Sequence, residues 1–412
     1  MNRIQQPLKL SLLAFGLTMA LMQPASAAPE KAPELSKITY KYIQKAQEQM
    51  AEDNYSAAQE SLEHVLSKVQ RRKADSAAVN QMLGVVFANQ EQFGKALEYF
   101  RAALKDDALH RPAAQQVRYN LAQLLMMQGE YKESISTLKT WMSNLDDGVE
   151  VPARAWIMLA NNYSRLKEWK NVVEPAKKAV AATEKPPEAW YSLLLAAHYE
   201  LKDYPSAVDV LETLVVINPA KKMYWLQLSG MNMSMKKDAA ALSALRAAYR
   251  HGVFDKESDY SQLANFLTFR GIPYMAGVAY KEGMDRGVVE ASYDNIKRLA
   301  NYWSHARETD RAIEMFYKAL AMDESADLQV RLARLLAQAE RYDDLIKLVS
   351  EPAADISSKQ KGSMLVMEGL AWYQLGEKQK SLNFMRKAAQ IDSSKGQANT
   401  WIGFLEQDLN SK

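Results

Sequence analysis

The sequence predicts an all-α solenoid of about ten two-helix units closed by a C-terminal capping helix. Three observations carry that prediction. Only 16 Gly and 13 Pro interrupt 412 residues, too few breakers for a strand-and-turn architecture. The chain is longer than a single hydrophobic core can serve, so several domains or one repeat array must share it. Small and large apolar residues also recur along it with a period near 36, the signature of stacked units.

The recurrence is clearest from Asn80 to Leu104, where Leu83-Gly84, Phe87, Phe93, Ala96, Phe100 and Ala103 mark a helix-turn-helix. The next unit reads Leu121-Ala122, Leu125, Gly129-Glu130-Tyr131, Ser134, Leu138 and Trp141. Ten units follow from that template. The small residue of each first helix falls at Ala46, Gly84, Ala122, Ala160, Leu195, Ser229, Ala264, Ala300, Ala333 and Gly369. Its counterpart in each second helix falls at Ala58, Ala96, Ser134, Val172, Ala207, Ala241, Ala276, Ala312, Leu345 and Ser381. Both series advance by 38, 38, 38, 35, 34, 35, 36, 33 and 36 residues, and two series in lockstep are not a coincidence of composition.

A small side chain at each of those places lets the two helices of a unit approach, while Leu, Phe, Tyr and Trp fill the space between units. One unit cannot bury its apolar faces alone, so each stacks on the next. Pro219 and Pro352 are expected to stop second helices, and Gly129, Gly271 and Gly376 to sit in the turns, where positive φ is cheap. Leu195, Leu345 and Val172 depart from the small-residue rule, so the packing there is expected to differ. The 38-residue period of the first four units leaves about one helical turn to place, either in longer second helices or in loops such as residues 105–112. Its change near Pro186-Pro187 divides the array into residues 37–186 (units one to four) and 187–396 (units five to ten). Residues 397–412 hold a capping helix, Gln397 to Leu409, and the tail.

These residues resemble the tetratricopeptide-repeat (TPR) family, whose pattern runs aromatic, Leu-small, aromatic, Gly-x-Tyr, Ala, aromatic, Ala, Pro. The resemblance implies a right-handed superhelix that binds polypeptides. It also implies a concave face lined by positions 2, 5, 9 and 12 of each first helix. Position 9 is here Gln47, Val85, Gln123, Asn161, Ala196, Gly230, Asn265, Asn301, Arg334 and Leu370. Five amides on one ridge suit an extended peptide, because an amide offers both a donor and an acceptor to a backbone. Around that ridge, Tyr119, Arg154, Arg165, Lys297 and Arg334 would make the ends of the groove polar. Ala189, Ala196, Tyr199, Met223, Leu226 and Met233 would make its middle apolar, suited to a partner helix.

The N-terminus reads as a signal peptide over residues 1–27. Arg3 and Lys9 form a basic region, Leu10 to Met22 an apolar run, and Ala25-Ser26-Ala27 a cleavage site after Ala27. The run is too short to span a bilayer. Residues 28–36 would be a linker, and the mature protein periplasmic. There is no Cys, so neither disulfides nor thiolate chemistry are available. Arg3 and Lys9 also carry two of the three net positive charges, which leaves no field to attract nucleic acid.

Chemistry has little to stand on. His64, His110, His198, His251 and His305 are dispersed over different repeats, without a neighbouring His or carboxylate at metal-ligand spacing. Asp106-Asp107, Asp146-Asp147 and Asp343-Asp344 suit loops and helix starts rather than acid–base pairs. Met231, Met233 and Met235 could suggest copper, but on a helix the middle one points away from the other two. Core filling explains them better. No enzyme, cofactor or metal is expected.

Two stretches carry a narrower resemblance: Thr213 to Met231 (TLVVINPAKKMYWLQLSGM) and Glu257 to Ser292 (ESDYSQLANFLTFRGIPYMAGVAYKEGMDRGVVEAS). They are similar to exported TPR proteins that accompany TonB–ExbB–ExbD systems of Gram-negative bacteria. That resemblance implies an adaptor in energy-dependent uptake, with a segment of TonB, ExbB or ExbD as its partner. An envelope-assembly scaffold for outer-membrane or cell-wall machinery is the alternative, self-association a further one, and an enzyme the remotest.

Overall fold

The computed structural model describes residues 34–410, and the predicted signal peptide and most of the linker lie outside them. The described residues fold into two units, the first ending at Leu214 and the second beginning at Val215. Both are built only of helices and the turns between them.

The first unit opens with the hairpin of α1 (Lys37–Ala51) and α2 (Tyr55–Val69). It continues with α3 (Lys73–Asn89) and α4 (Phe93–Leu104), α5 (Arg111–Met127) and α6 (Tyr131–Ser143), α7 (Ala153–Arg165) and α8 (Trp169–Ala181). Next come α9 (Glu188–Glu200) and α10 (Tyr204–Ile217), whose last turn belongs to the second unit. The second unit runs through α11 (Lys222–Ser234) and α12 (Asp238–Arg250), α13 (Glu257–Phe269) and α14 (Pro273–Asp285), and α15 (Tyr293–His305) and α16 (Thr309–Leu320). It ends with α17 (Ala326–Gln338) and α18 (Tyr342–Ser350), α19 (Ser358–Gln374) and α20 (Lys378–Ala388), and a closing α21 (Asp392–Asn410). The predicted capping helix is therefore present and begins five residues earlier.

All twenty template positions are buried, including Leu195, Leu345 and Val172, where larger side chains keep the same inward station. The close approach they permit is visible at Gly84 and Gly369. A Cβ on Gly84 would enter the Phe100 ring, and one on Gly369 would stand 2.9 Å from the Met385 methyl. Where the small residue is Ser134, its hydroxyl donates to the Ala122 carbonyl at 2.7 Å. Asn162 of the following repeat then donates to that hydroxyl at 2.9 Å. Small size and a satisfied polar group are thus combined at one buried point.

The predicted breakers act as expected. α10 and α18 end just before Pro219 and Pro352, and Gly129, Gly271 and Gly376 have φ of 81°, 75° and 82°. The extra residues of the early repeats are spread differently. α2 is long at 15 residues, but α4, α6 and α8 have 12, 13 and 13. Longer second helices therefore account for the first repeat alone. Elsewhere the surplus lies in α3 and α5, of 17 residues each, and in the loops at 105–110 and 144–152.

Candidate interaction surface

The first helices set up the surface through an alternation of neighbouring side chains. Position 8, the small residue, is buried in all ten repeats, and position 9, one residue on, is buried in none. A 100° turn per residue swings the next side chain away from the hairpin contact toward the flank of the same helix. The position-9 residues therefore stay at least partly open to solvent on a rigid scaffold, although Val85 and Leu370 also lean on the core.

In the first unit, Tyr119 of α5 is half-buried beside the Trp141 ring, 4.9 Å between centroids. Burial raises its hydroxyl pKa, and the Arg154 guanidinium nearby partly opposes that shift. Two of the predicted residues, Tyr119 and Arg154, thus come together across successive first helices. Asn161 and Arg165 are exposed on α7 and Gln123 is partly exposed on α5. Tyr199 stands 57% exposed at the end of α9.

In the second unit, Met223 and Met233 are 52% and 47% exposed, Leu226 is partly exposed, and Met231 is turned into the core. Of the residues predicted for the apolar middle, Ala189, Ala196 and Tyr199 belong to the first unit and Met223, Leu226 and Met233 to the second. Asn265 accepts the Tyr302 hydroxyl at 2.6 Å, Asn301 accepts from Arg331 at 3.4 Å, and Lys297 lies over the Tyr293 ring at 4.9 Å. Arg334 is exposed.

A second row of bonds runs beneath the same helices. Arg298 donates to Ser261 at 3.1 Å and to the Tyr280 hydroxyl at 3.3 Å. Tyr280 donates to Asn295 at 2.8 Å, and Asn295 to Glu257 at 2.9 Å. These bonds lock α13 to α15, so two of the five ridge amides sit on a braced wall. Sequence reading missed Tyr302 and Arg298, because both belong to the repeat's packing positions and only the fold shows what they reach. It also missed Phe269, the last residue of α13, which is 76% exposed.

One pairing corrects the sequence analysis. His198 does have a carboxylate neighbour: its Nδ1 lies 2.9 Å from Asp203 Oδ2, across the turn from α9 to α10. Hydrogen bonds from Ser206, with His198 adding, hold Asp203 below the usual carboxylate range. The turn folds residues five apart in sequence against one another, which helix spacing alone does not reveal. Among the described residues, no three His, Asp or Glu side chains come together as a metal site would require. None of the described helices is long and apolar enough to cross a membrane.

Comparison with known proteins finds the repeat in the first part of the chain. A tetratricopeptide-repeat family model matches residues 43–107 and again 81–141, the first three hairpins. The Photosystem I assembly protein Ycf3 of Acaryochloris marina (strain MBIC 11017) is 26% identical over 134 residues, 32% of this chain and 78% of that protein. Among solved structures, a tetratricopeptide repeat protein from Parabacteroides merdae ATCC 43184 is 15% identical. It covers 73% of this chain and 99% of its own, with a TM-score of 0.37. The Naa15/Naa10 complex bound to HypK-THB is 13% identical, covering 90% of this chain and 61% of the other at a TM-score of 0.43.

Proposed function

We propose that this protein, a tetratricopeptide-repeat array, is a periplasmic adaptor whose first-helix ridge binds a segment of an envelope protein in a TonB-dependent uptake system. The observation that carries the binding reading is the alternation at positions 8 and 9. Ten first helices each bury one residue to build the fold and leave the next at least partly exposed. Within each unit, a surface that recurs from one hairpin to the next suits the repeating backbone of a polypeptide rather than a small molecule.

The finer assignment rests on sequence. The basic, apolar and small-residue segments of residues 1–27 support export and removal of a signal peptide. The stretches Thr213 to Met231 and Glu257 to Ser292, similar to TPR proteins that accompany TonB–ExbB–ExbD systems, support TonB, ExbB or ExbD as partner. The scaffold acts by binding; no catalytic step is part of this reading.

A second reading is an assembly scaffold for outer-membrane or cell-wall machinery, and the likeness to a protein named for photosystem assembly favours it. Crosslinking the mature protein in intact envelopes, then identifying captured proteins by mass spectrometry, separates the two. Capture of TonB, ExbB or ExbD, weakened when Asn161 and Asn301 are changed to Ala, supports the adaptor. Capture of assembly machinery instead, with uptake of iron chelates unimpaired in a deletion strain, replaces it with the scaffold.

A further inference from the structure

Position 7 of the first helix is Leu in eight successive repeats, from Leu83 in the second to Leu332 in the ninth. Each of the eight is buried, at most 7% exposed, because this residue fills the seam between a hairpin and its neighbour. In the tenth repeat the same station holds Glu368, which is 6% exposed. A carboxylate in that column contributes nothing to packing that leucine does not do better, and its burial costs free energy unless something pairs with it.

The surroundings are altered to match. α18, which should cover this part of α19, has nine residues, whereas the other second helices have 11 to 15. Pro352 follows its end, and the missing turn leaves a cavity of about 310 Å³. Its walls are Val349, Pro352, Ile356, Met364, Leu365 and Phe384, with Glu368 as the acid among them.

No basic nitrogen of the described residues lies within 4.0 Å of the Glu368 carboxylate. Lys361 lines the mouth, but it is two helical turns back, roughly 10 Å along the axis. Lys387 is engaged over the Phe384 ring at 4.4 Å. The buried Trp372 indole N–H, one turn on, lies close enough to the carboxyl to stabilise its charged form but makes no well-aligned hydrogen bond. Burial raises the carboxyl's pKa, and the nearby Trp372 and Lys387 oppose the shift without cancelling it. A long apolar stem ending in a cation would satisfy the walls and the acid together.

We infer that the cavity between α18, α19 and α20 is a binding site for a primary alkylammonium group, presented by a lysine side chain of the partner polypeptide. The lysine stem lies along Met364, Leu365 and Phe384, and its ammonium pairs with Glu368. This deepens the adaptor reading and rests on it for the partner's being a polypeptide.

The test is calorimetric titration of the full chain with n-hexylamine, n-hexanol and hexanoate. The peptide acetyl-Ala-Lys-Ala-amide and its norleucine counterpart complete the set. Hexylamine and the lysine peptide are expected to bind at least tenfold more tightly than their uncharged or anionic counterparts. Glu368→Gln should abolish that preference. Glu368→Leu, which restores the repeat's own residue, should do the same while raising Tm, so loss of binding in it is not loss of fold. Equal binding of hexanol, or a preference that survives Glu368→Gln, overturns the site. Binding of hexylamine without the lysine peptide overturns the polypeptide source. Envelope capture by the unaltered protein is a separate readout: no capture with amine binding intact refutes the adaptor reading alone, and capture without amine binding refutes the cavity alone.

Discussion

The Tyr302 hydroxyl donates a 2.6 Å hydrogen bond to Asn265 Oδ1, reaching from α15 back to the exposed ridge of α13. One of the ridge amides therefore has one acceptor site taken within the chain, while its N–H donors stay open to a partner. Burial pushes the Tyr302 hydroxyl up to about 12 from an ordinary 10.0. The neutral phenol is the form the fold favours, so its contribution is complete below pH 10 and disappears as pH rises from 10 to 12. Tyr302→Phe should cost about 0.5–1.5 kcal/mol at neutral pH. It should also flatten the loss of stability between pH 10 and 12, as measured by urea unfolding across that range.

The turn within each repeat places a residue in the left-handed region at a fixed place. Glycine holds it at Gly129, Gly271 and Gly376. Charged residues hold it at Asp53, Glu91, Lys167, Lys202, Lys236, Arg307 and Glu340, with φ between 57° and 61°. These ten positions advance in step with the two small-residue series. The three glycines were legible in the sequence; the seven others were not, because an exposed Lys or Glu after a helix signals only a solvated turn. A β-carbon in that region costs about 1–2 kcal/mol, against a smaller entropic penalty for glycine in the unfolded chain. Lys202→Gly, Arg307→Gly and Glu340→Gly should each stabilise by about 0.5–1 kcal/mol. Equilibrium unfolding of the single variants checks this, and a uniform loss of stability would show that the turns are not strained.

What the sequence made plain and what it hid divide along a physical line. Helix pairs, small contact residues and stopping prolines are local or periodic, and the template found them at their observed places. The position-9 ridge was likewise legible, since its exposure follows from its place one residue after a buried one. Tyr302 with Asn265, Arg298 with Ser261, and His198 with Asp203 were hidden, because each depends on a neighbouring helix or on the path of a turn. Glu368 lies between: the column of eight leucines is visible in the sequence, but the cavity left by the short α18 is not.

Gly84 tests the packing rule most directly. Its Cα faces the Phe100 ring so closely that any β-carbon would enter it, and Phe100 is fully buried in the same hairpin. The ring cannot move outward without opening the hydrophobic core around Leu83, Phe87 and Ala103. Gly84→Ala should therefore destabilise by about 1–3 kcal/mol despite the better helix propensity of alanine. Gly94, with nothing within 4 Å of its β-carbon, is the control. There the same substitution should be neutral or stabilising by up to about 1 kcal/mol, and a chemical denaturation series on both would show whether packing or propensity decides.

Asp75 carries the last prediction. It is 1% exposed near the start of α3 and binds the segment that leads into α1. Its Oδ1 accepts from the Ser36 backbone N–H at 2.8 Å and the Ser36 hydroxyl at 3.0 Å, while Arg72 pairs with its other oxygen. Burial alone would raise its pKa, but the bonds from Ser36, Thr39 and Arg72 outweigh it and leave the carboxyl below its ordinary 3.8. The stability it contributes is therefore whole above pH 3.8 and is lost as pH falls through the depressed folded value. Asp75→Ala strands the Ser36 donors and should cost about 1–3 kcal/mol at neutral pH. It should cost progressively less as acid protonates the wild-type carboxyl. Because Ser36 N-caps α1, the loss should be concentrated in the first hairpin. Amide hydrogen exchange resolved by residue would then show α1 opening first, and uniform exchange along the first unit would exclude a local clamp.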